Sequence, residues 1–176
     1  MESFGVDVLG IADELTAAYV EVFTAPPWEH RDPEETRVAF RARLEEDAHR
    51  DGFRALVERG DDGRIAGFVT GWVTPAPFRT DRAYGNVLKR LGEEQVKELL
   101  VGAFEIDELG VLASSRGTGL GRRLLTTAVE EQGSRAWLLT WNQAHDTIAF
   151  YRRIGWTEPE VRGPETDIVV FLSPKA

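Results

Sequence analysis

Cysteine is absent from the 176 residues of this chain, and methionine occurs only once. Without a thiol, the chain forms no disulfide, offers no thiolate to a metal and carries no acyl group on cysteine. Its three histidines lie far apart in the sequence and match no zinc-binding helix pattern. We therefore expect neither a metal site nor an acyl-cysteine intermediate.

Basic residues are also in deficit, with 21 Lys and Arg against 30 Asp and Glu, for a formal net charge of −9. Nucleic-acid binding requires a basic face, so we expect no nucleic-acid partner. The acidity mainly favours solubility, and an acidic surface would in addition concentrate cationic amines near the site. No stretch is apolar for long enough to suggest a membrane partner, and Met1-Glu2-Ser3 does not resemble a secretory signal, so the expected location is the cytoplasm.

The length fits one domain over residues 1–176, and the hydrophobic periodicity predicts a mixed α/β layer for it. The predicted strands are 4–8, 53–59, 64–73, 103–111, 136–141 and 167–172. The predicted helices are 11–22, 33 to about 50, 93–100, 120–131 and 147–154. The Asp61-Asp62-Gly63 turn predicts a hairpin, and Asp32-Pro33 is a typical helix start. Residues 75–101 form an unusually long connection.

A glycine-rich turn, Arg116-Gly117-Thr118-Gly119-Leu120-Gly121, lies between a predicted strand and a predicted helix. Such a junction presents unpaired backbone N–H groups and the positive end of a helix to an anion. Glycine permits close approach of a diphosphate to the main chain. Neighbouring arginines add positive charge, so the turn is a candidate phosphate site.

Two common phosphate-binding motifs do not fit this turn. A dinucleotide fingerprint starting at Gly117 requires glycine at position 122, where the chain has Arg122. A P-loop requires Gly-Lys followed by Ser or Thr, and no such tripeptide follows here. The turn instead has the form R-x-x-G-x-G, which is the signature of the GNAT superfamily of N-acetyltransferases.

Two flanking segments resemble the same superfamily. They are Phe104–Val111 before the turn and Ala149–Trp156 after it, where Tyr151, Gly155 and Trp156 resemble a Y-x-x-x-G-F ending with Trp in the Phe place. The resemblance spans about residues 53–172. It implies a mixed, mostly antiparallel central sheet flanked by helices on both faces, with an extra helical insertion at about 75–101. It also implies an acyl-CoA-dependent N-acyltransferase that uses acetyl-CoA.

In proteins that this chain resembles, the strand before the turn carries a bulge, and the pantetheine arm of coenzyme A lies between that strand and the next. The resemblance therefore implies main-chain contacts at two strand residues, diphosphate contacts along the turn and one contact from the asparagine after the next strand. The implied cofactor-binding residues are Leu109, Val111, Arg116, Gly117, Thr118, Gly119, Gly121, Arg122 and Asn142.

Acyl transfer to an amine requires a base for the ammonium proton and an acid for the leaving thiolate. Glu105 and Glu108 on the strand are both candidates for the base, since Glu105 falls where some histone-acetylating relatives carry it and Glu108 lies closer to the thioester-binding backbone. The resemblance assigns Tyr151 as the proton donor, and a phenol with a pKa near 10 is protonated at neutral pH. Without cysteine, we expect direct transfer in a ternary complex.

The predicted acceptor pocket consists of aromatic faces and a carboxylate that suit a cationic amine: Trp28, Glu29, Trp72 and Phe78. Polyamines, aminoglycoside-like antibiotics, amino acids and protein amines all remain possible acceptors, and a homodimer is possible. The alternative function is a non-catalytic acyl-CoA-binding sensor or interaction module.

Overall fold

A computed structural model describes residues 1–133 and 135–174. Six strands form a sheet in the order β1-β2-β3-β4-β5-β6. The strands are β1 (Glu2–Phe4), β2 (Arg54–Arg59), β3 (Ile65–Val73), β4 (Phe104–Val111), β5 (Ala136–Trp141) and β6 (Ile168–Leu172). The α-helices are α1 (Ala12–Phe23), α2 (Pro33–Asp47), α3 (Tyr84–Leu91), α4 (Glu93–Gln95), α5 (Leu120–Gln132) and α6 (His145–Arg153). No helix among these residues is long and apolar enough to cross a membrane.

The sheet is mixed and mostly antiparallel, as the family resemblance implied. β1 pairs with β2, β2 with β3 and β5 with β6 in antiparallel register. β4 and β5 run parallel, with Phe104–Ile106 opposite Ala136–Leu138. A parallel pair requires a crossover connection, and α5 supplies it.

The described chain divides into two compact units. Unit 1 comprises Met1–Trp72 and Glu108–Ala128, and unit 2 comprises Val73–Asp107 together with the described part of Val129–Ala176. The core of unit 1 joins α1 and α2 to β2 and β3. The core of unit 2 joins α3 and the turn after α4 to β5 and β6. β4 contributes its first half to unit 2 and its second half to unit 1.

In unit 1, helices cover both faces of β3. Phe68 belongs to the core cluster that contains α1 and α2 residues. Its neighbour Gly67 lies against α5, because a Cβ at Gly67 would be 2.9 Å from Leu120 Cδ2 and 3.1 Å from Leu124 Cδ1. Consecutive strand residues face opposite sides. The predicted arrangement of helices on both faces is therefore confirmed.

Two local predictions are confirmed with their bonds. Asp32 caps α2, since its Oδ1 accepts hydrogen bonds from the backbone N–H groups of Glu34 at 2.9 Å and Glu35 at 2.8 Å. The β2–β3 hairpin closes where Gly60 N donates to Arg64 O at 2.9 Å, with Gly63 at φ 77°. These features depend on neighbouring residues, which is why local sequence predicts them.

The predicted strand at 4–8 is wrong beyond Phe4. Only three residues pair with β2, and Val6–Ile11 forms a 3-10 helix. Asp7 explains the change, because its Oδ1 accepts from Gly5 N at 2.7 Å while Val8 N donates to Gly5 O at 3.1 Å. This local turn competes with strand pairing.

The 75–101 insertion is helical, as predicted, but it contains more helix than the sequence indicated. α3 lies before the predicted 93–100 segment, which forms α4 and a π-helical turn at Val96–Leu100. The start of α3 was not predicted because Gly85 and Asn86 are weak helix formers. The spacing of Tyr84, Val87 and Leu91, all buried, is the signal that would have predicted it.

We predict that Gly110→Ala destabilises the protein, because a Cβ at Gly110 would lie 2.5 Å from ring carbons of Phe68. Relieving such an overlap costs about 1–3 kcal/mol. Gly10→Ala is the matched control, since a Cβ there meets nothing within 4 Å. Denaturant unfolding measures both variants, and equal free energies of unfolding would contradict the close contact.

Candidate active site

The glycine-rich turn is an exposed loop whose shape depends on two glycines. Gly117 and Gly119 have φ values of 77° and 81°, the left-handed region that other residues rarely adopt. A Cβ at either glycine would meet nothing within 4 Å. These glycines therefore supply backbone conformation, and the space beside them is open to a ligand.

Side chains fix the turn from within. Thr118 Oγ1 donates to Ser115 O at 2.8 Å, and Arg123 donates to Thr118 O at 3.2 Å. Arg116 Nε donates to Val111 O at 3.2 Å, which ties the exposed arginine to the end of β4. Thr118 and Arg123 thus brace the turn, whereas Arg116 and the exposed Arg122 are placed to meet an anion.

The first turn of α5 supplies backbone donors. Its first main-chain bond runs from Arg123 N to Gly119 O at 3.1 Å, so the N–H groups of Leu120, Gly121 and Arg122 precede it. Together with the positive helix end, they make the corner suitable for a diphosphate. The residues present therefore fit the group that the sequence predicted for this turn.

β4 carries one extra residue relative to β3. Thr74 N donates to Ala103 O at 2.9 Å, and Leu112 N donates to Ala66 O at 2.9 Å. Between these two bonds, Ala66 and Thr74 are eight positions apart on the β3 side, whereas Ala103 and Leu112 are nine positions apart on the β4 side. An extra residue of this kind is a β-bulge, which disturbs the ladder and re-aims side chains.

In unit 1, Glu108 is held by Arg43 of α2 and Tyr19 of α1. Arg43 donates to Glu108 Oε1 at 2.9 Å and to Tyr19 Oη at 3.0 Å, while Tyr19 Oη donates to the same carboxylate oxygen at 3.2 Å. The Glu108 side chain is 12% exposed. Burial raises the pKa of Glu108 above its ordinary value, although Arg43 and Tyr19 favour the charged form.

Tyr19 is itself fixed by stacking. Its ring lies 3.8 Å from that of Phe40 with an angle of 9° between their planes. Burial raises the pKa of the Tyr19 phenol, and the Glu108 charge adds to this effect. The phenol therefore remains a donor to Glu108 at all ordinary pH values.

In unit 2, Glu105 is 4% exposed and accepts a hydrogen bond from Tyr84 Oη at 2.7 Å. Burial and the Glu105 charge raise the pKa of the Tyr84 phenol. Arg82 lies 3.8 Å from Asp107, and Arg79 lies over the Tyr84 ring at 5.4 Å. The insertion therefore provides the partners of the first, acidic half of β4.

Tyr151 lies on α6 in unit 2 and is 6% exposed. Its ring centroid is 5.4 Å from that of Phe171 and 6.1 Å from that of Trp156. Asn142, in the same unit, donates from its backbone N–H to Asp167 O at 2.8 Å and from Nδ2 to Thr166 O at 3.1 Å. Asn142 thus holds the segment before β6.

The four predicted acceptor residues lie in different surroundings. Trp72 is 1% exposed in the core of unit 1, so it contributes packing and we leave it out of the acceptor site. Trp28 is half-buried with the Arg31 guanidinium 4.6 Å from its ring centroid, and Glu29 is exposed. Phe78 belongs to unit 2, where it packs against Tyr84.

A family model described as the acetyltransferase (GNAT) family matches residues 12–156, which lie in both units. The chain belongs to this family. It is an N-acetyltransferase with acetyl-CoA as its acyl donor, as the R-x-x-G-x-G turn and its flanking segments predicted. GNAT enzymes act on amine acceptors. No curated protein matches the chain significantly.

Solved structures share the GNAT fold at low sequence identity. The PaiA N-acetyltransferase of Thermoplasma acidophilum, in complex with coenzyme A, is 12% identical, with a TM-score of 0.63 over 99% of this chain and 100% of that one. The protein PH1933 of Pyrococcus horikoshii is 19% identical, with a TM-score of 0.62 over 94% and 90% of the chains. NAA60 of Arabidopsis thaliana, in complex with a bisubstrate analogue, is 14% identical, with a TM-score of 0.57 over 98% and 96%.

The sequence did not reveal the partners of the two glutamates. Tyr19 and Arg43 lie on helices 89 and 65 residues away from Glu108. Tyr84 lies 21 residues before Glu105, on the helix that was not predicted. No local motif links these positions, and only buried polar residues on amphipathic helices give a weak signal.

We predict that Arg43→Gln raises the pKa of Glu108 further, because the carboxylate loses its opposite charge. Carboxyl-carbon NMR titration measures this, with the signal assigned by Glu108→Gln. A folded-state pKa above 4.5 means that ionising Glu108 costs stability, so unfolding free energy falls as pH rises from 4.5 through the folded pKa. The variant should show a larger fall.

The matched control is Arg37→Gln on the same helix, because the ion pair of Arg37 within the described chain is with the exposed Glu34, at 3.3 Å. Its Glu108 titration should equal that of the native protein. An unchanged or lowered Glu108 pKa in Arg43→Gln would show that Arg43 does not stabilise the carboxylate.

Proposed function

We propose that this acetyltransferase binds the diphosphate of coenzyme A on the 116–121 turn and transfers the acetyl group directly to an amine. The observation that carries the proposal is the open space beside two left-handed glycines at the start of α5. Exposed arginines and first-turn N–H groups support it. The diphosphate-binding residues in this proposal are Arg116, Gly117, Thr118, Gly119, Gly121 and Arg122.

The second half of β4 is the proposed binding edge for the pantetheine arm, through the main chain of Leu109 and Val111. The extra residue in β4 supports this, because a bulge disturbs ladder bonding and leaves polar main-chain groups for a ligand. A backbone N–H near Leu109 is also the proposed donor to the thioester carbonyl oxygen as negative charge develops there. The contact of Arg116 with Val111 O links this edge to the turn.

Acetyl-CoA supplies the acetyl group as a thioester, and the chain must move two protons. One leaves the ammonium so that its nitrogen has a lone pair, and one reaches the departing sulfur. We propose that Glu108 accepts the first proton, directly or through water. Its raised pKa supports this, since a base is more effective when its pKa approaches the working pH.

Glu105 is the second candidate for the base. It is more deeply buried, and Tyr84 occupies one of its oxygens, which supports a role in anchoring the insertion instead. The two candidates are separated by whether the acid limb of kcat/KM follows the titration of Glu108.

We propose that Tyr151 donates the second proton to the sulfur. Rings of Phe171 and Trp156 pack around it, and this support fixes the phenol on α6. Because the chain has no cysteine, transfer proceeds without an acyl-enzyme on a thiol. The family match runs through both units, which supports our proposal that residues 1–176 act as one catalytic domain.

The proposed acceptor is a small-molecule or peptide amine. The net charge of −9 supports attraction of the cationic amine to the protein. Trp28, Glu29 and Phe78 remain the proposed acceptor-binding residues from the sequence. A homodimer is also part of this proposal, on the family resemblance alone.

We predict that Gly119→Ala weakens coenzyme A binding about tenfold, because alanine strains the turn at φ 81° and displaces its N–H groups. Gly92→Ala is the matched control, since Gly92 has φ 80° and equally open space but lies in the insertion. Calorimetric titration measures both affinities. Equal losses in the two variants would mean that the turn does not bind the diphosphate.

We predict that Tyr151→Phe lowers kcat by about 100-fold while the affinity for coenzyme A stays the same, because only proton transfer to sulfur is lost. Thiol release from acetyl-CoA with a panel of amines measures turnover, and product mass identifies the acetylated amine. Unaltered turnover would remove Tyr151 from the mechanism. Binding of coenzyme A without acetylation of any amine in the native protein would contradict the transfer itself.

A further inference from the structure

This acidic chain pairs many of its arginines with carboxylates. Ion pairs to Asp or Glu are made by Arg37, Arg41, Arg43, Arg50, Arg59, Arg64, Arg79, Arg82 and Arg152. Arg31, in the loop between α1 and α2, is half-buried and makes no ion pair or side-chain hydrogen bond among residues 1–133 and 135–174. Arg122 and Arg153 also make no ion pair in the described chain, but both are exposed, whereas Arg31 is half-buried against aromatic rings.

Aromatic rings hold the Arg31 side chain in place. Its guanidinium carbon lies 4.6 Å from the Trp28 ring centroid and 5.9 Å from that of Phe23, and the rings are 6.5 Å apart. Arg31 N also donates to Trp28 O at 3.0 Å. A cation–π contact orients the guanidinium without using its N–H donors.

Neither of the carboxylates near Arg31 in the sequence, Glu29 and Asp32, forms an ion pair with it in the described chain. Asp32 accepts the first two N–H groups of α2 through Oδ1, and Glu29 makes no ion pair with Arg31 in the described chain. A guanidinium that is positioned by stacking and still has its donors available binds a planar anion well, because its fork matches a carboxylate.

The charge of Arg31 also acts on the cluster formed by Glu108, Tyr19 and Arg43. Its positive charge acts on Glu108 and on Tyr19 in the direction that favours their charged forms. Arg43 already pairs with Glu108 at 2.9 Å. The Arg31 charge therefore adds to that of Arg43 in favouring the Glu108 carboxylate.

We propose that Arg31 binds a carboxylate carried by the acceptor, so that the acetylated amine belongs to the amino-acid class. This inference rests on the proposed function. It makes Trp28 the support of an anion-binding arginine and not a direct binder of the ammonium group. Polyamines and aminoglycosides lack an anionic group, and they would be poor acceptors.

Matched acceptors test the proposal. The full chain is assayed with acetyl-CoA and each standard amino acid beside its own carboxamide, which keeps the amine and side chain but removes the charge. We expect kcat/KM for at least one amino acid to exceed that for its carboxamide about tenfold or more. Arg31→Gln should lower kcat/KM for that acid about 10- to 100-fold, mostly through KM, and change kcat/KM for the carboxamide far less.

Arg37→Gln is the matched control, because it removes an exposed arginine six residues away that, among the described residues, forms its ion pair with Glu34. Its kinetics should equal those of the native protein. Carboxamides that react as well as the acids, or an Arg31→Gln loss that is equal for both, would overturn the proposal. Preference for a phosphate-bearing amine such as phosphoethanolamine over every amino acid would also overturn it.

A binding measurement separates this proposal from the transfer reaction. The Arg31 Nε–H signal, identified by its loss in Arg31→Gln, is followed by NMR with N-acetylated amino acids and with their carboxamides. We expect a shift with an acid and none with its amide. If no acid shifts the signal, the subsite is wrong even when amines are acetylated. If acids shift it while no amine is acetylated, the proposed transfer fails and the carboxylate site stands.

Discussion

Most of the proposed chemistry depends on the extra residue in β4. A regular strand alternates its side chains between two faces, so the direction of each side chain follows from its position. The nine-residue advance on β4 against eight on β3 breaks that alternation between Ala103 and Leu112. The groups that surround Glu105 and Glu108 therefore depend on the bulge as well as on the spacing of the two residues. The same irregularity supports the proposed binding of pantetheine to this strand.

Each half of β4 has a buried glutamate that is held by a tyrosine. Tyr19 donates to Glu108 in unit 1, and Tyr84 donates to Glu105 in unit 2. A carboxylate that loses water needs such donors, since an unpaired buried charge is very costly. The difference is that Arg43 also binds Glu108, so this site combines a raised pKa with a nearby positive charge. That combination suits the base proposed above, which must both accept a proton and return to its charged form.

Arginine has two uses in this acidic protein. Many arginines are neutralised by carboxylates, for example Arg59 with Glu2 and Glu14. Others meet no carboxylate in the described chain, among them Arg122 beside the glycine-rich turn and Arg31 between α1 and α2. In a chain with an excess of acidic residues, the arginines that make no ion pair are the groups able to bind an anion, whether a diphosphate or a carboxylate.

The sequence by itself determined the family, the phosphate turn and most elements, because these depend on residues close together in the chain. The Asp32 cap, the Gly63 turn and the α5 start are all of this kind. It could not determine α3, whose weak helix formers are compensated by burial of Tyr84 and its neighbours. Only the tertiary structure decided which groups meet Glu105 and Glu108. Those contacts join residues up to 89 positions apart, and their strength comes from burial, which no local pattern encodes.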